Sequence, residues 1–265
     1  MTIRWRSTLP RVIAILLATS VIGVNVALAG DDGGDMPNST ATVAPSLPAS
    51  SNWAGYVATS GGLTGSLLGS GTGGVTEAHA TWTIPTLTCN GTTSFSSAWV
   101  GIDGYASGTV EQIGTWHYCV YGKAFYGAFA QMYPSPAVFP HFLLHPGDVV
   151  QAAVHYQGGD SFAVSLKNVT TGASYGTTMT QRNAQRSSAE WVVENPSFNG
   201  NTHQLANFSP VLFTNAGATI NGSAGVINDL RWRNAPLVML GVSGLHLAAP
   251  VPLSLGGSSF LVTKL

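Results

Sequence analysis

The sequence predicts an all-β fold, built as an antiparallel two-sheet sandwich. Short alternating or β-branched runs follow one another from Ser50 onward, and Gly, Pro, Asn and Asp residues separate them. No long stretch repeats its apolar residues with the period of an amphipathic helix. A parallel α/β sheet is disfavoured because it needs crossover helices. The pattern is therefore typical of an all-β sandwich of the jelly-roll or concanavalin-like kind.

Eight runs are predicted as strands, each because its side chains alternate or are β-branched. In chain order they are AHATWTIP, FSSAWVGI, TVEQIGTW, DVVQAAVHY, SFAVSLKNV, AEWVVE, SPVLFTN and PLVMLGV. Two turns are predicted between them, HPGD at 145–148 and TTG at 170–172.

The first 29 residues have the features of a secretory signal peptide. Three arginines lie within the first eleven residues, an apolar run covers 12–26, and Ala27-Leu28-Ala29 has a small-x-small cleavage pattern. The alternative is a retained membrane anchor, for which the run is short against the ~20 residues that a span needs. We expect cleavage, secretion to the extracellular space and no stable membrane association afterwards.

Residues 30–49 are predicted to be a linker or short pro-segment, and residues 50–265 a single catalytic domain. The segment 30–49 mixes Gly, Pro, Ser, Thr and Asp without periodicity. Of the ten Lys and Arg residues three lie in the leader, which leaves seven against eleven acids. Because these seven form no basic stripe, nucleic acid is not an expected partner.

The two cysteines, Cys89 and Cys119, both fall in the exported part. Disulfides form in exported proteins, so we predict that the two pair. Two unrelated free thiols are the alternative. A bridge would also leave no thiol for nucleophilic catalysis.

No metal or other cofactor is expected. His141 and His145 have helical ligand spacing, but Pro140 and Pro146 flank them and no metalloprotease glutamate follows. The glycines at 69, 71 and 74 match a dinucleotide-binding pattern, although no helix follows. The chain also lacks the G-x-S-x-G pattern of a nucleophile elbow.

Carboxylates and amides remain as candidate catalytic groups, and SSAEWVVENPSF at 187–198 concentrates them. In a strand, Glu190 and Glu194 share one face, and four strand steps separate them by ~13 Å. That distance is too long for the two to act as one pair. The alternative is that both are solvated residues on an outer sheet face.

Several segments, in the same order along the chain, resemble the glutamic peptidases, the eqolisins of peptidase family G1, formerly A4. The resemblance covers roughly residues 51–213 and implies a secreted, two-sheet β-sandwich endopeptidase that works at acid pH with a Gln/Glu dyad. The matching segments are SNWAGY, AWVGIDG, VEQIGT, the GD of HPGDVV, NVTTG, AEWVVEN and FSPVLF.

The resemblance assigns the dyad to Gln112 and Glu194, and places an active-site tryptophan and aspartate at Trp99 and Asp103. Trp53 is a further candidate for contact with substrate. Core packing for the tryptophans and a turn for Asp103 are the alternatives. Without the family, Glu111 competes with Gln112, because the two neighbours point to opposite faces; the bland interpretation of Glu111 is an outward, solvated residue.

The chain departs from the family pattern at one position. The family commonly has a glutamate in a segment like WYEWYP, whereas this chain has FAQMYP, so that Gln131 replaces the carboxylate and Phe129 an aromatic neighbour. Contacts with substrate or proton exchange that depend on that carboxylate are therefore in question, and activity with them.

The expected chemistry divides the work between an amide and a carboxyl group. A glutamate near its reference pKa of ~4.3 is a base when ionised and an acid when protonated, so one residue serves both roles best at acid pH. The Gln112 amide holds the water with its carbonyl and the oxyanion with its NH₂. Polypeptides are the expected substrates and a monomer the expected state.

Two rival functions remain open at this point. A jelly-roll glycoside hydrolase would use Glu190 and Glu194 as acid and nucleophile, provided that a bulge shortened their separation to ~5 to 5.5 Å. Its stacking platforms would be Trp53, Trp82, Trp99 and Trp116. A non-catalytic, lectin-like binding module would need no dyad and predicts that Gln112 and Glu194 lie far apart.

Overall fold

The computed structural model describes residues 48–60, 74–198 and 201–265, without the side chains of 198, 201 and 202. Every regular element in these ranges is a β-strand. The strands are β1 Ala49–Ser50, β2 Trp53–Thr59, β3 Val75–Thr83, β4 Ser94–Ile102, β5 Val110–Val120, β6 Lys123–Tyr133, β7 Val149–Gly158, β8 Ser161–Asn168, β9 Ser174–Thr180, β10 Ser188–Glu194, β11 Ser197–Phe198, β12 Asn201–Thr202, β13 Gln204–Leu205, β14 Val211–Ile220, β15 Ser223–Val226, β16 Arg233–Leu240, β17 His246–Pro250 and β18 Phe260–Lys264.

The predicted all-β class is confirmed, and all eight predicted runs contribute to strands, namely β3, β4, β5, β7, β8, β10, β14 and β16. Both predicted turns form as well. In the first, the amide of Asp148 donates to the carbonyl of His145, and in the second Gly172 has a φ of 80°. A third tight turn joins β5 to β6 through Tyr121 and Gly122, which both have positive φ, as a two-residue hairpin requires.

Sixteen of the strands form one sheet, in the order β6-β5-β4-β10-β2-β16-β17-β18-β14-β3-β7-β8-β9, with β1, β13 and β15 attached to β16, β4 and β14. The pairings are antiparallel except for β1 with β16 and β13 with β4. The sheet curls over itself, so that β4 and β5 face β3, β7 and β8. The result is a barrel-like sandwich, with β11 and β12 forming a separate small sheet.

The main core lies between the two facing parts of this sheet. Strand β10 shows how the period of two sorts its residues, because Ala189, Trp191 and Val193 enter the main core. Its alternate residue Val192 joins a smaller apolar cluster on the opposite face. We call that opposite face of β6, β5, β4, β10, β2 and β16 the site face.

The predicted disulfide between Cys89 and Cys119 is confirmed, with a Cα–Cα distance of 5.5 Å. It ties the loop after β3 to the end of β5, a strand that carries proposed site residues. The predicted signal peptide at 1–29 and nearly all of the segment 30–49 lie outside the described residues, although Ala49 already pairs with Val238 of β16. Within the described ranges no helix is long and apolar enough to cross a membrane.

Candidate active site

The site face brings together most of the side chains that the sequence singled out. Directly paired residues of neighbouring strands project to the same face, so each row across the strands collects one set of side chains. One row consists of Gln131, Gln112, Gly101 and Glu190, on β6, β5, β4 and β10. A second row, four residues further along β4, consists of Gly127, Trp116, Ser97, Glu194 and Trp53.

Gln112 and Glu194 therefore share a face, with β4 between their strands. Their partners on β4, Gly101 and Ser97, are four residues apart, so the two side chains meet on a diagonal across the sheet. Within the described residues neither side chain hydrogen-bonds the other. The Trp99 side chain lies along this diagonal, with its Nε1 bonded to Glu194 and its ring against Gly101.

Two hydrogen bonds hold the carboxyl group of Glu194. The side-chain amide of Asn52 donates to Oε1 at 3.0 Å, and the indole N–H of Trp99 donates to Oε2 at 2.9 Å. The ring of Trp53 packs edge-on against Trp99, with 5.0 Å between ring centroids. Each carboxyl oxygen thus has a donor, and the main donor ring is itself fixed by packing.

Glu194 is fully buried, and this burial raises its pKa to about 7 against an ordinary value of 4.5. The N–H groups of Trp99, Trp53 and Asn52 limit the rise because they favour the charged form. The Trp53 N–H lowers the pKa of Glu194 through its proximity, without forming a well-aligned hydrogen bond. A carboxyl group in this setting can both release and accept a proton in the acid range.

Asn52 is a site residue that sequence reasoning missed. The hydroxyl of Ser50 accepts hydrogen bonds from the amides of Asn52 and Trp53, which shapes the entry into β2. The carbonyl of Asn52 also accepts from the amide of Asn195, directly after Glu194. The available signal was the position of this amide residue inside the segment SNWAGY, next to Trp53.

The amide of Gln112 is held by Gln131, the residue that replaces the family's glutamate. Nε2 of Gln112 donates to Oε1 of Gln131 at 3.1 Å, and Nε2 of Gln131 donates to the carbonyl of Ser135 at 2.9 Å. Oε1 of Gln112 is buried and has no hydrogen-bond partner within the described residues. These two hydrogen bonds fix the orientation of the Gln112 amide, with its NH₂ group bonded to Gln131 and its Oε1 atom left unpaired.

Trp99 connects the two rows. Its Nε1 reaches Glu194, while a Cβ built on Gly101 would lie 2.9 Å from its Cζ3 atom. The indole therefore extends along β4 from Glu194 to the glycine beside Gln112. A side chain at position 101 would collide with it, which gives Gly101 a steric reason to be glycine.

The carboxylate of Asp103 binds backbone amides of the segment before β10. Its carboxylate accepts hydrogen bonds from the amides of Arg186 (2.6 Å) and Ser187 (2.8 Å) and from the Ser187 hydroxyl (2.8 Å). Asp103 itself has a φ of 68°. These contacts hold the segment that leads into β10. Asp103 therefore positions the strand that carries Glu194, although it makes no hydrogen bond to Glu194 itself.

Two interpretations of glutamates as solvated residues are wrong. Glu111 does point away from the site face, but it is buried, and burial followed by the nearby Asp103 carboxyl raises its pKa well above 4.5. Glu190 and Glu194 are both fully buried as well. Alternation predicted which residues share a face, whereas covering of that face depends on the rest of the fold.

The described part of the chain contains no group of three or more His, Cys, Asp or Glu residues suited to a metal ion. The polar groups that line the site face are carboxyl groups, amides, indole N–H donors and the hydroxyl of Ser97. A buried carboxyl group that exchanges protons, close to an oriented amide, is the equipment of general acid–base catalysis.

Comparison with known proteins identifies relatives over most of the chain. Residues 51–234 match the model of the Peptidase A4 family. Aspergillopepsin-2 of Aspergillus niger is 29% identical over 224 residues, which cover 74% of this chain and 75% of the relative. Scytalidopepsin B of Scytalidium lignicola is 29% identical over 192 residues, covering 68% and 67%.

A solved structure supports the fold. The crystal structure of scytalido-glutamic peptidase with a peptide-based transition-state analogue has a TM-score of 0.65 and 22% sequence identity, over 81% of this chain and 98% of the other. At this identity the likeness concerns the fold alone. It agrees with the barrel-like sandwich described above.

Proposed function

We propose, starting from the fact that this chain belongs to the Peptidase A4 family and is a protease, that Glu194 and Gln112 are its catalytic dyad. The observation that carries the proposal is the state of Glu194. It is a buried carboxyl group with one N–H donor on each oxygen and a pKa of about 7, on the face that also carries Gln112. The enzyme is an endopeptidase that hydrolyses polypeptides in acid.

In this mechanism Glu194 handles the protons. Ionised, it takes a proton from the attacking water, and its negative charge is stabilised by the N–H groups of Trp99 and Asn52. Protonated, it delivers that proton to the departing nitrogen. Because the proton taken from water is passed on to the departing nitrogen, Glu194 is ionised again after each turnover, and one residue performs both steps.

Gln112 supplies the uncharged part of the dyad. Its Oε1 atom is an unpaired acceptor for the attacking water, and its NH₂ group has a second hydrogen beyond the one given to Gln131. That hydrogen is a donor for the oxyanion of the tetrahedral intermediate. The neutral Gln131 supports the amide by hydrogen bonding, so the dyad does not depend on a carboxylate at this position.

The pH range follows from the raised pKa of Glu194. A glutamate with the reference pKa of ~4.3 would work at about pH 3 to 4. With a pKa of about 7, the ionised fraction of Glu194 falls about tenfold for each pH unit below that value. The raised pKa therefore moves the expected activity from about pH 3 to 4 up into the mildly acidic range, between pH 4 and 7.

The geometry of β10 weighs against the glycoside hydrolase. From Ala189 to Glu194 the strand pairs residue by residue with β4, without a bulge. Glu190 and Glu194 therefore stay ~13 Å apart, against the ~5 to 5.5 Å of a retaining pair. The lectin-like alternative is disfavoured by the common face of Gln112 and Glu194.

Three further properties are part of the proposal. The leader at 1–29 directs secretion, in agreement with the disulfide between Cys89 and Cys119. The sandwich is of the two-sheet jelly-roll kind, which is supported by the packing of β4 and β5 against β3, β7 and β8. Polypeptides are the substrates, since the chain belongs to a peptidase family and is 29% identical to aspergillopepsin-2.

The test is digestion of a denatured protein by the purified exported form between pH 3 and 8, with Glu194→Gln as the inactive control. We expect cleavage inside the chain in the mildly acidic range and none by the variant. Hydrolysis of a glucan without peptide cleavage at any pH would replace the proposal with the glycoside hydrolase.

A further inference from the structure

A ladder of aromatic rings stands on the site face, beside the row of Glu194. Phe95, Tyr118 and Phe125 are direct cross-strand partners on β4, β5 and β6. Their rings stack with centroid distances of 5.7 Å and 5.1 Å. His203 extends the row at the other side of Phe95, with 5.0 Å between ring centroids.

The ladder is continuous with the proposed active site. Trp116 packs on Tyr118 at 5.2 Å, and its partner on β4 is Ser97, which is also the partner of Glu194. The Trp116 ring lies over Gly127, where a Cβ would collide with it, and its Nε1 donates to the carbonyl of Ala128 at 3.1 Å. Trp116, which belongs to the row of Glu194, is thereby fixed against the ladder.

The His203 end of the ladder is linked to Glu194 through Asn195. The side chain of Asn195 donates to the carbonyl of His203 at 3.0 Å. Since Asn195 follows Glu194 directly, the His203 end keeps its position relative to the catalytic carboxyl group. The ladder is thus anchored to the site at two points, Tyr118 through Trp116 and the His203 end through Asn195.

The ladder differs from the other aromatic residues of the site in its exposure. Trp53 and Trp99 are buried, whereas Phe125 is 40% exposed, and Phe95 and Tyr118 are half-buried. No carboxylate belongs to the ladder, and Lys123 is the charged residue on the same face of β6, two positions from Phe125. Exposed rings that adjoin a site are typical of ligand-binding surfaces.

We propose that this ladder is a substrate subsite, which binds an aromatic or large aliphatic side chain of the polypeptide. The inference rests on the proposed function, because it takes the row of Glu194 as the place of bond cleavage. From that row to the ladder is two strand residues, ~7 Å, and an extended peptide advances ~3.3 Å per residue. The bound side chain belongs to a residue about two positions from the scissile bond.

Rings also stabilise a sheet when they pair across strands, so a purely structural ladder is the competing explanation. The two roles differ in their kinetics. A subsite changes the specificity between substrates, whereas a structural role lowers the amount of folded enzyme and affects all substrates equally. The proposal also predicts discrimination against lysine and arginine at this position, because Lys123 carries the same charge.

The experiment begins with the wild-type enzyme. Cleavage sites in a denatured protein are mapped at mildly acidic pH by mass spectrometry. Two peptides based on one such site are then made, which are identical except at the residue two positions from the cleaved bond, where one has Phe and the other Ser. We expect the Phe peptide to have about tenfold higher kcat/KM. Equal values for the two peptides would overturn the proposal.

Variants then test the residues themselves. Tyr118→Ala should remove most of the Phe preference through KM, and Phe125→Ala, at a more exposed position, should reduce it about threefold. Tyr175→Ala, which removes a partly buried tyrosine from β9 on the other part of the sheet, should leave the preference intact. Phe125→Ala decides the matter if Tyr118→Ala does not fold.

The outcomes separate this inference from the proposed function. A Phe preference that survives both variants, or a loss that is equal for both peptides, contradicts the subsite. Failure of the wild type to cleave either peptide contradicts the proposed function. In that case the binding of the intact peptides decides, because the subsite requires Tyr118→Ala to weaken binding of the Phe peptide selectively.

Discussion

Two positions of β10, four residues apart, carry the same amino acid on the same face with very different surroundings. Glu194 and Glu190 are both fully buried, and burial raises the pKa of each. Glu194 has Asn52 and Trp99 as well-aligned donors, whereas neither carboxyl oxygen of Glu190 has a well-aligned hydrogen bond within the described residues, and the Ser188 hydroxyl and Tyr105 amide only limit the rise of its pKa. Burial alone keeps a carboxyl group neutral; donors are what allow Glu194 to carry charge during a reaction.

The largest expected effect breaks this comparison at Glu194. Glu194→Gln keeps the shape but removes the proton acceptor, so peptide cleavage should fall by about 10² to 10⁴. The measurement is kcat/KM on a peptide substrate, with thermal unfolding as a check on folding. Glu190→Gln is the matched control and should retain most of the activity; the reverse result would exchange the roles of the two glutamates.

The next effect concerns the amide partner. Gln112→Ala removes the proposed oxyanion donor and the acceptor for water, and turnover should fall by about 10² to 10³. The control is Glu111→Gln, one residue earlier and on the opposite face, which should leave kcat nearly unchanged. A Gln112→Ala enzyme with full kcat would remove Gln112 from the mechanism.

A smaller effect is expected when Glu194 loses one of its hydrogen-bond donors and so becomes more like Glu190. Trp99→Phe keeps the ring but deletes the N–H that bonds to Oε2. Because that donor favours the charged form, its loss raises the pKa of Glu194 further. The acid limb of the pH–rate profile should move to higher pH, with a loss of about tenfold at pH 5. An unchanged acid limb would show that Glu194 does not set it.

The smallest effect is on stability. A carboxyl group whose pKa is higher in the folded protein than the ordinary 4.5 contributes stability fully below 4.5, and that contribution is lost as pH rises through the folded pKa. For Glu194 the window runs from about 4.5 to about 7, and for Glu190 it extends well above 4.5. The melting temperature should therefore fall from pH 5 to pH 8.

Glu190→Gln isolates one contribution to that fall, because a neutral amide has no proton to lose. The slope of melting temperature against pH should become flatter in the variant, without a matching change in activity at pH 5. Parallel curves for wild type and variant would mean that Glu190 is ionised, or accessible to water, in the folded protein.

Sequence alone located much of this arrangement. The alternation in AEWVVE placed Glu190 and Glu194 on one face, the two exported cysteines predicted their bridge, and all eight predicted runs contribute to strands. These features depend on local pattern and on compartment. The assignment of Gln112 over Glu111 came from the family resemblance, because alternation says only that the two neighbours differ in face.

The remaining features depend on contacts between distant parts of the chain. The bond from Asn52 to Glu194 spans 142 residues, and the one from Gln112 to Gln131 depends on the register of β5 and β6. No local pattern reports which donors will surround a carboxyl group after folding. For the same reason the burial of Glu111 and Glu190 was missed.

The entry into β2 has a consequence for when the proposed site is assembled during synthesis. Asn52 lies just after β1, and β1 pairs with Val238 and Met239 of β16, which follow Glu194 in the sequence. When Glu194 has been synthesised on the ribosome, β16, the strand that holds β1 and with it the start of the segment of Asn52, has not yet been made. The proposed catalytic carboxyl group therefore gains its full set of donors only after β16 has been made, so the site is assembled later in synthesis than Glu194 itself.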